Sequence, residues 1–100
     1  MKFHGIGQSV GGCDVYVIDE NGKRELPLRL NEVRHSPSGF QWGYSGSGPA
    51  QLSYAMLREL YSISESKANY QTVKNRVISN LPEAEDFWLH EDRIRRHVHE

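Results

Sequence analysis

The segment from His35 to Leu52, HSPSGFQWGYSGSGPAQL, carries the residues whose types and spacing bear most directly on chemistry. Glycines at 43, 46 and 48 give the backbone access to positive φ and to close approach of a ligand. Pro49 suits the first turn of a helix, where its missing N–H costs nothing. No acidic residue follows until Glu59. A helix that starts here therefore turns its first amide N–H groups toward a Gly/Ser loop, an arrangement that holds phosphate, sulfate or carboxylate. Ser45 and Ser47 add hydroxyl donors, and Trp42 or Tyr44 can stack on a base or sugar. With Gly46, Gly48, Gln51 and His35 they make up the candidate ligand-binding set. The spacing matches neither G-x-x-x-x-G-K-[ST] nor G-x-G-x-x-G, and the P-loop lysine is missing, which disfavours NTP hydrolysis by that route. The same residues also read as a structural strand-to-helix turn. In that reading Ser47 or Gly48 caps the helix, the glycines permit tight packing, and Trp42 and Tyr44 fill the core.

Other chemistries have weaker support. A nucleophile at Ser36, Ser45, Ser47 or Cys13 needs a base beside it. His35 is the only histidine near the loop, and no acid lies close in sequence to orient it, although Glu32 could through the fold. A small hydrolase or nucleotide-modifying enzyme using His35 is thus the third reading, and no catalytic set is assigned. His90, His97 and His99 suggest a metal, but residues two apart on a helix point about 200° apart, so no metal site and no cofactor are expected. Lys74, Arg76, Arg93 and Arg96 could form a basic strip. Acids at 83–92 lie beside it and the net charge is −1, so surface pairing is expected and nucleic acid is not.

The chain has 100 residues, 37% hydrophobic and 25% charged, enough for one compact domain over 1–100. Cys13 is the only cysteine. A lone thiol excludes an intrachain disulfide and a CxxC metal site, and fits a reducing cytosol and a buried strand position. The longest stretch without Asp, Glu, Lys or Arg, His35 to Leu57, is rich in Gly, Ser, Gln and Tyr. Neither a membrane helix nor a secretory signal is expected, which points to the cytoplasm.

Asp14 to Asp19 and Lys23 to Leu30 read as strands joined by an Asn21-Gly22 hairpin turn, with Pro27 marking an edge. Phe3 to Gln8 predicts a third strand. Leu52, Ala55, Met56 and Leu60 form a helical stripe from Pro49 to about Tyr61. Ser62 and Glu65 have capping-box spacing for a helix running to about Leu81, stopped by Pro82. Phe87-Trp88-Leu89 is a strand or a core plug, and a last helix starts near Glu91. The fold class is α+β: a small antiparallel sheet, built on the N-terminal hairpin, packed by two to three helices in the C-terminal two-thirds.

Phe40-x-Trp42-Gly43-Tyr44-x-Gly46-Ser47-Gly48-Pro49-Ala50-Gln51-Leu52 resembles the signature of an uncharacterised family of small proteins from phages and from bacterial and archaeal genomes. The likeness continues through Tyr70-x-x-Val73-Lys74, Leu81-Pro82, Trp88-Leu89 and Ile94. At Ser45 that family usually has Gly, and at Val73 usually Phe, so the loop is less open here. The resemblance implies a phage or mobile-element accessory protein. The first functional expectation is a small non-enzymatic binding protein holding a nucleotide or other anionic ligand, with an inhibitor or nucleotide sponge against host defence as its setting. The second is a protein–protein interaction module with a structural loop and a host protein as partner.

Overall fold

The computed structural model describes residues 1–8 and 12–98. Strand β1 is Lys2–Ile6, β2 is Asp14–Asp19 and β3 is Gly22–Glu25. Asn21-Gly22 turns β2 into β3, with Gly22 at φ 116° and Asn21 N–H donating to Asp19 Oδ1 at 2.8 Å. The second strand of the hairpin is shorter than its leucine alternation predicts. Its last ladder bond runs from Leu26 N–H to Val15 O at 2.9 Å. Pro27 has no N–H to continue it, and Arg29 turns the chain at φ 65°. Leu26 and Leu28 still pack against the core, so the alternation reports burial without a ladder.

Phe87–His90 forms β4, and the sheet order is β3-β2-β1-β4, antiparallel throughout. Lys2 pairs with His90, and Phe3 with Leu89. The joint is fastened where Glu91 N–H donates to Met1 O at 3.0 Å and the Met1 ammonium to Glu91 Oε1 at 2.7 Å.

Helix α1 is Ser47–Leu60, α2 is Ile63–Arg76 and the short α3 is Glu91–Arg95. Ser62 caps α2 as its spacing predicts: its Oγ accepts from Glu65 N–H at 3.2 Å and lies 2.9 Å from Glu65 Oε1. α2 stops short of Leu81. A 3-10 turn over Ile78–Asn80 follows it, and Ser79 Oγ and Asn80 Nδ2 donate to the carbonyls of Lys74 and Arg76. Side chains that satisfy the last helical carbonyls let the chain leave the helix early.

The helices and the sheet share one core. Phe3, Val15, Val17, Phe87 and Leu89 meet Leu52, Ala55, Met56, Leu57, Val73, Val77, Ile78 and Ile94 in a single buried cluster. Because strand side chains alternate, Lys2, His4, Ile6, Asp14, Tyr16, Ile18, Trp88 and His90 point the other way, and none of them is buried.

Candidate functional site

The Gly/Ser loop delivers the chain into α1 at Ser47, two residues ahead of Pro49, from which the helical stripe runs in the sequence. Positive φ occurs there only at Gly43, at 87°; Gly46 is extended at φ −175°. The roles of Gly46 and Gly48 are therefore steric. A Cβ on Gly48 would lie 2.5 Å from Gln41 Cβ, and one on Gly46 2.8 Å from the Tyr44 ring. Gly46, rather than Ser47 or Gly48, is the N-cap, with no side-chain cap bond and no acid in the first turn. Ala50 N–H donates to Gly46 O at 3.0 Å and Pro49 has no N–H. The amides of Ser47 and Gly48 are the ones left for an anion, and Gly48 is buried.

The other candidate residues diverge from this point. Trp42 is 1% exposed, packs edge-on against Phe87, and donates its indole N–H to Pro82 O and Glu85 O, both at 3.0 Å. Its ring is a core element and is not available to stack on a ligand. Gln51 is fully buried. Its Oε1 accepts from the N–H groups of His35 (2.8 Å) and Ser36 (3.1 Å), and its Nε2 donates to Leu28 O (2.6 Å) and Val33 O (2.9 Å). That one side chain organises the 28–36 segment. The His35 ring reaches α2, with Nε2 2.8 Å from Tyr70 Oη, and Ser36 Oγ donates to Gly39 O at 2.6 Å. Tyr44, Ser45 and Ser47 are exposed, and these share the loop's surface.

Two further clusters have structural geometry. Glu32 accepts from Tyr54 Oη at 2.7 Å and Arg58 Nε at 2.6 Å, while Glu59 binds Arg24 and Arg29. The Arg58 hydrogen bond holds the Glu32 carboxyl below the usual carboxylate range. Burial, with the Glu32 hydrogen bond, pushes the Tyr54 phenol up to about 12. These groups clasp the 24–32 segment to α1 as fixed charges and are not poised for proton transfer. A groove of about 200 Å³ lies beside β2 and β3, lined by Cys13, Val15, Glu25, Leu26 and Phe40 among others. Burial raises the Cys13 thiol above its ordinary value, so the unreactive protonated form is favoured.

The outward face of the sheet is the surface that sequence reasoning did not assemble. The register sets Trp88, His4, Tyr16 and Glu25 in one row across β4, β1, β2 and β3, and His90, Lys2, Ile18 and Lys23 in the next. Trp88 is 60% exposed, and its ring stacks on His4 with centroids 3.8 Å apart and planes 9° from parallel. Lys23 Nζ sits 4.3 Å from the Tyr16 ring centroid. The run Phe87-Trp88-Leu89 is apolar throughout and carries no signal of which side chain faces outward; the burial alternation along β4 puts the tryptophan in the outward phase.

Among the described residues, no group of three or more His, Cys, Asp or Glu could hold a metal ion. The His97-x-His99 pair lies partly outside them, at His99. No described helix is long and apolar enough to cross a membrane. No curated protein and no solved structure matches the chain. A family model does match, over residues 3–100, and the chain belongs to that family, the family of unknown function DUF6166.

Proposed function

We propose that this chain is a non-enzymatic binding protein that meets its ligand with the outward face of its sheet. The observation that carries the reading is Trp88, a large ring held 60% exposed on a strand and braced parallel to His4. An exposed tryptophan forgoes the stabilisation that burial gives, and Tyr and Trp concentrate where one protein meets another molecule. Its place on a hydrogen-bonded strand presents it preorganised, with little ordering entropy left to lose on binding. On the resemblance of its loop motif, we place it as a phage or mobile-element accessory protein.

A second reading, an anion or nucleotide at the start of α1, is favoured by the absence of a side-chain cap and of any first-turn acid. One experiment separates the two. Amide shift maps of ¹⁵N-labelled protein are recorded with the small-molecule, nucleic-acid and protein fractions of a bacterial extract. The first reading expects shifts in Lys2–Ile6, Asp14–Ile18 and Phe87–His90; the second expects them at 46–51. Shifts in neither region with any fraction contradict both.

A further inference from the structure

We infer that the outward sheet face takes single-stranded nucleic acid, with a base stacked on Trp88 at the end of the Trp88–His4–Tyr16 row and phosphates passing Lys2 and Lys23. This rests on the binding-face reading above and names its partner. Three rings sit on three adjacent strands, which are spaced about 4.8 Å apart. The register places them directly across from one another. His4 occupies one face of Trp88 and Lys23 Nζ lies 4.3 Å over the Tyr16 ring, so Trp88, 60% exposed, is the ring that offers a face to a base. Every base offers a π-face, so such a row accepts a strand with little regard to its sequence.

The charges are ordered in the same direction. Lys2 and Lys23 flank Ile18 in the row beside the rings. One acid meets the far end of that row, where Asp92 Oδ2 lies 3.4 Å from His90 Nδ1; the others are displaced from it. Asp14 pairs with Ile6 on the opposite side of the rings, and Asp86 accepts Gly7 N–H at 2.9 Å and lies 3.9 Å from His4 Nε2. Glu25 closes the ring row beyond Tyr16. His90 accepts Asp92 N–H at Nδ1, at 3.1 Å, which leaves Nε2 to donate. A polyanion therefore has one path across the face, along the lysines. Two lysines cannot grip a duplex, and a chain of net charge −1 adds no general attraction, so the fit is to a short single strand. A protein partner fits the face less well: the core of such an interface is poor in Lys, and Ile6 and Ile18 are the only aliphatic side chains on the paired strands' outward positions.

The test is fluorescence anisotropy with labelled oligo-dT and oligo-U of about ten nucleotides, alongside a duplex of equal length. Single strands are expected to bind and the duplex to bind far more weakly. With two phosphates neutralised, log K should fall against log salt with a slope of about −1.4, and Lys2→Ala or Lys23→Ala should each flatten it by about 0.7. Trp88→Ala should weaken binding about tenfold or more, Trp88→Phe should restore most of it, and Ser47→Glu should change nothing. Trp88 is exposed, so circular dichroism of these variants should match wild type. The inference is overturned if single strands do not bind at low salt, or if Trp88→Ala leaves their binding intact. It is also overturned if light scattering shows a wild-type dimer that Trp88→Ala dissociates, since the face is then a self-interface. If oligonucleotides fail while extract still shifts the sheet amides, the partner class is wrong and the binding face stands. If the sheet amides do not shift either, both readings fall.

Discussion

Gln51 shows how much a single buried side chain can organise. Its amide satisfies two N–H groups and two carbonyls of the 28–36 segment while fully buried. Gln51→Leu keeps the volume and leaves those four groups to find water or go unpaired. Each buried unpaired group costs about 1–3 kcal/mol, and some will rehydrate, so a loss of about 3 kcal/mol in urea denaturation is expected. A loss below about 1 kcal/mol would show that the segment does not depend on this residue. Glu32 gives a prediction in pH. Its carboxyl pKa is lowered in the fold, chiefly by the Arg58 hydrogen bond, so its contribution is present above the unfolded value of 4.5 and lost as pH falls through the lower folded value. The wild-type Tm should therefore drop more steeply with acid below about pH 4.5 than that of Glu32→Gln, and parallel curves would contradict this. None of this was legible beforehand. Gln51 looked like a ligand contact because it follows a Gly/Ser loop, and its real partners lie 15 to 23 residues away.

At the scale of elements, local signals read true. Asn21-Gly22 made its hairpin turn and Ser62 with Glu65 made its cap. Leu52, Ala55 and Met56 are buried as their spacing predicts, but α1 is buried on every side from Gly48 to Leu57 and Leu60 only in part. Removing the cap in Ser62→Ala should cost about 1 kcal/mol. The loop before α1 has a graded prediction. Gly43 combines φ 87° with a would-be Cβ 2.5 Å from Glu83 Cα, which is backbone and cannot swing aside. Gly46 is extended, and its would-be Cβ meets the edge of the exposed Tyr44 side chain, which is not backbone. Gly43→Ala should lower stability by about 1–3 kcal/mol, more than Gly46→Ala, and the reverse order in thermal melts would refute this account of the loop. What sequence could not supply was the pairing of β1 with β4, because Lys2 and His90 come from opposite ends of the chain. Without it, Phe87-Trp88-Leu89 was equally a strand or a core plug, and the outward phase of Trp88 stayed hidden.

At the scale of the whole molecule, α1 is buried on every side from Gly48 to Leu57, one face of the sheet joins it in the core, and none of the side chains on the sheet's second face is buried. The division of labour follows. Trp42, Gln51 and the Glu32–Arg58 clasp hold the structure, and Trp88, His4, Tyr16, Lys2 and Lys23 lie on the outward face that we propose meets a partner. A net charge of −1 describes the chain as a whole and conceals the ordering of rings and lysines on this one surface. The central claim is that this face, and not the Gly/Ser loop, binds. Its most direct measurement is the amide shift map with the extract fraction that binds, repeated for Trp88→Ala and Ser47→Glu. The account predicts that Trp88→Ala abolishes the shifts while Ser47→Glu leaves them in place. Shifts that survive Trp88→Ala and vanish with Ser47→Glu would contradict it.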